Sequence, residues 1–492
     1  MALLLALDAG TTGVRALAVD DAGSVQGISY REFTQHFPQP GWVEHDLDEI
    51  WEKIQVVIAE LLKKLDEPIT AIGITNQRET VTAWSRSTDR PLHRAIVWQD
   101  RRTADVCDRL AADGHIGHVR STTGLVLDPY FSGTKFAWLL KHGGVANNTD
   151  LALGTIDTWL IWKLTDGAAH VTEPSNASRT MLFDIKSLQW SEQMCEILGV
   201  PIEALPEVRS SSGRFGVTAD TTALGAGIPV SGVAGDQQAA LFGQACFEPG
   251  MTKNTYGTGS FVLMNVGQTC PEPVEGLLTT VAWTLGQDQP ASYAYEGAVF
   301  VTGAAIQWLR DGLGIISEAS EIGPLAASVE SSGDVYFVPA FAGLGSPWWD
   351  PYARGTIVGL TRGTGRAELA RATVESMVYQ TRDVVDAMSK ASGQTLTELR
   401  VDGGASVMDL LLQMQADQLG VTVARPTNQE LTALGAAYLA GLAEDMWDSA
   451  DTVAQRWQAE TRFTPQASGD DVEDAYARWL QAVERSRGWA QP

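Results

Sequence analysis

A carboxylate closing an apolar strand, with hydroxyls and a guanidinium one turn away, can hold a divalent cation and the oxygens of a phosphate. LLLALDAGTTGVRAL offers that set near the start of the chain. Leu3–Leu7 reads as a buried strand, Asp8 closes it, Gly10-Thr11-Thr12-Gly13 forms a turn, and Arg15–Val19 reads as a second strand. In such a hairpin the turn amides, the Thr11 and Thr12 hydroxyls and Arg15 face an anion, while Asp8 faces a metal. An export signal is not expected here, because no basic residue precedes the apolar run and Asp8 interrupts it at once. Asp and Gly are also ordinary turn residues, so the stretch alone leaves a plain hairpin open.

Asp236 closes IPVSGVAGD ahead of QQAALFG, and Arg78 and Glu79 follow ITAIGIT within NQRET. Ligands of open α/β sheets sit beyond the carboxyl ends of strands. A carboxylate there can orient a substrate hydroxyl and take its proton. A helix N-cap is the plain alternative for Asp236, and a solvated charged turn for Arg78–Glu79. GTGS (257–260) and DGGAS (402–406) let backbone approach a ligand closely, and a helix after Gly403-Gly404 would offer free amides. Ser406 with Asp409 three residues on reads equally as a capping box. Trp98, Tyr130 and Phe261 are core or rim residues by the usual burial of aromatics, and WWDPY (348–352) is read as packing. Neither G-x-x-x-x-G-K-[ST] nor G-x-G-x-x-G occurs, which disfavours a P-loop or a dinucleotide fold.

The elements that must position these residues alternate between strand and helix, the α/β pattern. One helix is expected from Leu47 to Leu65. Asp46 can cap it, Glu49 sits three residues later, and Leu47, Ile50, Trp51, Ile54, Val57, Ile58, Leu61, Leu62 and Leu65 form one face. KNTYGTGSFVLMNVG (253–267) reads as a second strand-turn-strand, and ELRVDGG ends at Asp402 as IPVSGVAGD ends at Asp236. At 492 residues the chain exceeds one ordinary core. The expected division is 1–247 and 248–441, with the boundary at FEPGM around Pro249 and Gly250. A helical appendage, 442–492, contains EDAYARWLQAV.

The net charge of −25, from 35 basic against 60 acidic residues, argues against nucleic acid or an anionic membrane as partner. It does not argue against a small anion held by a few amides and one arginine. No apolar run approaches the ~20 residues that span a bilayer, so membrane insertion is not expected and the cytoplasm is the expected compartment. Cys107, Cys195, Cys246 and Cys270 are scattered without C-x-x-C spacing and are expected as reduced thiols.

LDAGTTGVRA, PGWVEHD, GITNQRET, AIVWQDRRT, TGLVLDPYFSGTK, GTIDTWLIWKLT, SNASRTML, GDQQAALFGQ, KNTYGTGSF, YEGAVFVTGAAIQWLRD, GLGSPWWDPYARG and LRVDGGAS follow one another from Leu3 to about Gly441. In that order the chain resembles the FGGY carbohydrate kinases of the actin/Hsp70-like ATPase superfamily, and among them those that phosphorylate glycerol. The resemblance implies an α/β fold of two duplicated actin-like (ribonuclease H-like) domains with a catalytic cleft between them. It implies ATP and Mg²⁺ as cofactors, with ATP entering from the C-terminal side and glycerol lying deeper, against the N-terminal domain. Residue by residue it implies that Arg78, Glu79, Tyr130, Asp236 and Gln237 hydrogen-bond the polyol, walled by Trp98 and Phe261. Thr11, Thr12 and Arg15 match contacts to the transferred phosphoryl group, and Asp8 matches the carboxylate that holds Mg²⁺. Gly257, Thr258, Gly303, Gln307, Gly404 and Ala405 match the nucleotide side, and Asp236 the general base. A homo-oligomer, dimer or tetramer, is implied as well.

Three features depart from the family pattern. Met408 stands where an Asn contacts the nucleotide, and Gly227 stands where some bacterial members carry an Arg for fructose 1,6-bisphosphate. FTPQASGDDVEDAY does not match the surface that meets a sugar-transport regulator. The alternatives within reach are another FGGY kinase, for dihydroxyacetone, a tetritol or a ketopentulose, and a non-catalytic nucleotide-binding regulator. The small pocket of Arg78, Glu79, Trp98 and Phe261 favours glycerol. Asp8, Arg15 and Asp236 together favour an enzyme.

Overall fold

In the computed structural model, which describes residues 2–286 and 288–490, the opening apolar run is the middle of a strand, Leu3–Ala9. It pairs antiparallel with Gly13–Val19, setting Asp8 opposite Arg15, and parallel with Ile69–Asn76. Six strands form this sheet in the order Ser212–Val217, Pro229–Gly235, Ile69–Asn76, Leu3–Ala9, Gly13–Val19, Val25–Glu32. The three central strands are parallel and end in register: Asp8 lies beside Thr75, and Gly235 beside Asn76. That register delivers Asp8, the Arg78–Glu79 turn and Asp236 to one edge of the sheet. Leu5, Leu7, Ile72, Ile74 and Val233 stay fully buried behind it.

A second sheet repeats the plan. Its order is Ala459–Phe463, Thr422–Pro426, Glu398–Asp402, Thr252–Tyr256, Ser260–Gly267, Ser292–Val299, with Leu278–Trp283 added at the far edge. The hairpin Thr252–Tyr256/Ser260–Gly267 again runs beside a parallel strand, Glu398–Asp402, just as the Asp8 hairpin runs beside Ile69–Asn76. The α/β fold with two like sheets is therefore present.

Three local expectations need correction. Leu47–Leu62 ends a turn before Leu65. Asp46 does cap it, accepting from Asp48 N and Glu49 N, but Glu49 turns away and accepts from Thr34, so the box is only half made. Residues after Gly441 are more than a helical appendage. Ala459–Phe463 completes the edge of the second sheet by pairing with Thr422–Pro426. Five residues with two charges gave too short an alternation to stand out from the sequence. The helix Gly469–Ser486 then stacks Trp479 on Tyr379 at 5.4 Å, and the Trp479 indole donates to Asp383 at 2.9 Å.

Two helices, Asp236–Gly243 and Leu431–Ala443, pass between the sheets and lie against each other. Their approach depends on glycine: a methyl at Gly435 would stand 1.9 Å from Ala239 O, and one at Gly243 2.0 Å from Leu431 O. Gly435→Ala is expected to cost about 1–3 kcal/mol, the usual range for overpacking a tight contact. Urea unfolding measures it, and an unchanged midpoint would mean that the helices separate freely. The four cysteines are unpaired, and among the described residues no helix is long and apolar enough to cross a membrane.

Candidate active site

The carboxyl ends of the first sheet carry a dense set of charges. Arg78, almost wholly buried, lies with Nε 3.3 Å from Asp236 Oδ1 and 3.7 Å from Glu79 Oε1. Its two terminal nitrogens hold the carboxylate of Glu296, at 2.6 and 2.9 Å. Arg179 binds Glu79 Oε1 at 2.7 Å and Glu296 Oε1 at 2.9 Å. Two arginines and two glutamates therefore interlock through direct contacts. Glu79 itself occupies φ +60°, a region that a residue with a side chain rarely adopts. The grip of Arg179 on its carboxylate helps fix that turn.

Asp236 is the first residue of its helix, and Gly235 takes the cap position, so the N-cap alternative does not hold. Its carboxylate accepts from Gln237 N at 2.8 Å and keeps 31 % exposure to the cleft. Burial raises its pKa, opposed by Arg78 and Lys253. Gln237 is buried, and its side-chain oxygen accepts from Lys253 Nζ at 2.5 Å. Aromatic rings close the pocket. Trp98 meets Tyr130 edge-on at 5.7 Å and Phe261 at 6.4 Å, and the Tyr130 hydroxyl stands 3.4 Å from Arg78 Nη2. Phe261 comes from the second hairpin, so both halves of the chain build this pocket.

Beside it stands the first hairpin. Burial lifts the Asp8 carboxyl to about 6; Arg15 opposes this, while Asp236 and Glu430 add to it. Arg15 is ion-paired with Glu430, at the start of the crossing helix Leu431–Ala443. Thr11 and Thr12 form the tip, and Thr11 Oγ1 accepts from the Trp98 indole at 2.9 Å.

Further along, a cavity of about 750 Å³ is lined by Gly257, Thr258, Gly303, Gln307, Gly404 and Ala405. Its size suits a small-molecule ligand of nucleotide dimensions. Gly303 N donates to Gly257 O at 3.1 Å and Ala304 N to Thr258 O at 2.9 Å, which joins two of these glycine turns. Met408 lines the same cavity and contributes a thioether where an amide could have offered hydrogen bonds. The capping box at Ser406 is absent. Gly404–Val407 is a 3₁₀ turn, Ser406 Oγ donates to Gly403 O at 2.7 Å, and the helix Asp409–Leu419 starts later.

The residues matched to the polyol, the transferred phosphoryl group and the nucleotide lie in these three regions. Arg179, Glu296, Lys253 and Glu430 were not singled out, although each contacts one that was. The available signal was a charge inside an apolar or small-residue stretch, as in SNASRTML and YEGAVF. Among the described residues no group of three His, Cys, Asp or Glu side chains converges to hold a metal by itself.

Comparison with known proteins bears on the whole chain. The N-terminal domain of the FGGY family of carbohydrate kinases matches residues 3–243, and its C-terminal domain matches residues 252–444. A glycerol kinase of Bordetella parapertussis is 56% identical, covering 99% of this chain and 98% of its own. Glycerol kinase 2 of Thermotoga maritima is 53% identical, with 99% of both chains covered. The crystal structure of Plasmodium falciparum glycerol kinase with ADP superposes at a TM-score of 0.93 and 34% identity, over 99% of this chain and 98% of that one. Gluconate kinase from Lactobacillus acidophilus, at 21% identity and a TM-score of 0.87, shares the fold. With both halves matched and relatives alike from end to end, the chain belongs to the FGGY family of carbohydrate kinases.

Proposed function

We propose that the protein transfers the γ-phosphoryl group of ATP to glycerol, giving sn-glycerol 3-phosphate and ADP. The observation that carries this reading is the small pocket between the sheets. Arg78 contacts Glu79, Asp236 and Tyr130 there, Trp98 meets Tyr130 and Phe261, and we read Arg78, Glu79, Tyr130, Asp236 and Gln237 as the polar partners of the substrate and Trp98 and Phe261 as its walls. A three-carbon triol matches that supply of polar groups and its short apolar face. Full-length similarity to proteins named glycerol kinase supports the same substrate.

Asp236 is assigned as the general base. It takes the proton of the attacking hydroxyl as that oxygen bonds to the γ-phosphorus, and the bond from phosphorus to the β–γ bridging oxygen breaks to release ADP. An aspartate is a weak base for an alcohol. That suffices when the transition state is loose and catalysis rests on positioning and charge neutralisation. Arg78, 3.3 Å from Asp236, favours its ionised form against the burial that raises its pKa. Arg15 would exchange Glu430 for the transferred group. Thr11 and Thr12 hold the same group, and the nucleotide occupies the cavity of Gly257, Thr258, Gly303, Gln307, Gly404 and Ala405.

Asp8 fits a magnesium ion held by one carboxylate, phosphate oxygens and water. Its carboxyl is pushed up to about 6 by burial and by the neighbouring carboxylates of Asp236 and Glu430, so a cation there relieves uncompensated charge. A magnesium ion held there by Asp8 would supply positive charge to neutralise the transferred and leaving groups. The unpaired thiols accord with a reducing compartment, and we assign the reaction to the cytoplasm.

A coupled assay of ADP release with MgATP tests the substrate, comparing glycerol with dihydroxyacetone, erythritol, xylulose and gluconate. Glycerol is expected to lead by about 100-fold or more in kcat/KM. A site built to hydrogen-bond each substrate oxygen rejects analogues that leave its buried groups unpaired. Preference for another polyol would overturn the pocket assignment. ATP binding without turnover on any acceptor would point to a regulator.

A further inference from the structure

PGWVEHD and the Gln of NQRET have no part in the mechanism above, yet their side chains meet behind the Gly10–Gly13 turn. Gln35 Nε2 donates to Thr11 O at 2.9 Å, so its Oε1 is the atom that faces His45, at 2.7 Å. An amide oxygen can only accept, and His45 Nε2 must therefore carry the hydrogen. That leaves Nδ1 as an acceptor, and it faces Gln77 Nε2 at 3.3 Å. The same Gln77 nitrogen donates to Gly10 O at 2.9 Å, and Gln77 Oε1 accepts from Thr80 Oγ1 at 2.9 Å. Thr80 Oγ1 in turn accepts from Trp98 N at 3.3 Å. The Trp98 indole then returns to the turn by donating to Thr11 Oγ1. Each link dictates the next, and the ring begins and ends on the turn.

We propose that His45, acting through Gln35 and Gln77, is the positioning residue that fixes the turn to receive phosphate. The proposal rests on the assignment of Thr11 and Thr12 to the phosphate. In a trans peptide the N–H points opposite to its C=O. Holding Gly10 O and Thr11 O from behind therefore turns the N–H groups of Thr11 and Thr12 the other way, towards an anion. Thr11 Oγ1 accepts from Trp98, which leaves its own hydrogen to donate. Trp98 is thus joined to the phosphate turn as well as forming a wall of the acceptor pocket. The ring requires a neutral imidazole, and its setting provides one. His45 is wholly buried against the edge of Phe33 at 4.9 Å, and burial, aided by His36, drives its pKa down to about 3.

His45→Phe keeps the ring and the Phe33 contact while removing both hydrogen bonds. It is expected to weaken binding of the β,γ-imido analogue of ATP, with magnesium and without any acceptor, by about 10–100-fold, the loss of two neutral hydrogen bonds. ADP binding is expected to change much less, and KM for glycerol to stay within about 3-fold of the wild-type value, below the loss of a single hydrogen bond. Unchanged binding of the analogue would overturn the proposal. So would equal losses for the analogue, ADP and glycerol, which a general loosening of the fold produces.

The wild-type protein supplies a second measurement should the variant not fold. ¹⁵N spectra of histidine-labelled protein are expected to show two of the seven histidines, His45 and His170, as the Nε2–H tautomer, unprotonated down to pH 5; His170 donates from Nε2 to Leu153 O, and burial lowers its pKa to about 4. His170→Gln removes one of the two signals, and a spectrum of that variant with no such histidine left would overturn the assignment. A wild-type protein that binds the analogue but leaves glycerol untouched sinks the substrate reading alone, since neither measurement involves glycerol.

Discussion

Asp236→Asn is expected to lower kcat by about 10²–10⁴-fold, the usual contribution of a positioned general base. Binding of MgATP and the urea midpoint are expected to remain close to wild type. The substitution keeps size and shape, and Gly235 rather than Asp236 caps the helix, so the helix start is not at risk. It does remove one carboxylate from beside Arg78. That arginine still holds Glu296 through two hydrogen bonds at 2.6 and 2.9 Å, against a single 3.3 Å contact to Asp236. The guanidinium therefore stays paired, and the catalytic loss outweighs any loss of stability.

The pH profile supplies an independent reading of the same residue. Burial raises the pKa of Asp236 against the opposing pull of Arg78 and Lys253. The base form is lost as pH falls, so wild-type kcat should decline on an acid limb that lies above the usual range of an aspartate. Asp236→Asn should flatten that limb along with the rate. A variant that keeps kcat within about 3-fold, below the smallest contribution expected of a general base, would remove Asp236 from the chemistry.

The sequence made the ends of strands easy to see and the contacts between distant segments hard to see. Asp8, Arg78 and Asp236 each follow a short apolar run, and because those runs become adjacent parallel strands, their last residues converge. A motif at a strand end is local, so its place in the fold follows from the strand. Arg179 and Glu296 lie 117 positions apart and meet only in the folded chain. Each stands alone in its own stretch as a charge among small or apolar residues. His45 shows a third case. Its motif was visible, but the direction of each hydrogen bond depends on Gln35 and Gln77 arriving from two other segments. The strand Ala459–Phe463 was missed for a different reason. Its place at the sheet edge comes from pairing with Thr422–Pro426, and five residues carry too little periodicity of their own.

Arg179→Met is expected to be the most destabilising of the substitutions considered, at about 3–5 kcal/mol, because it leaves buried carboxylates short of a cation. The comparison that gives this weight is Arg109→Ala. Arg109 and Asp105 pair at 2.6 Å, but their side chains are 59% and 67% exposed, and such a pair contributes about 0.2–1 kcal/mol. Arg179 is fully buried and touches both Glu79 and Glu296, so no water replaces the lost contacts. Burial alone would raise the pKa of Glu296, but Arg179 and Arg78 overcome it and hold the carboxyl at about 2. A carboxyl depressed below its unfolded value stabilises the fold above that unfolded value. The contribution fades as pH drops from there towards about 2. Without Arg179 the folded pKa rises, and acid unfolding should begin at higher pH than in the wild type. Glu79 loses the partner that aligns it, so KM for glycerol should rise even under conditions in which the variant is folded. Urea unfolding at neutral and mildly acid pH, with KM measured in parallel, distinguishes these effects. A variant as stable as Arg109→Ala at both pH values would mean that Arg78 alone neutralises both glutamates. In that case the second arginine would serve neither the stability of the cluster nor the setting of the pocket.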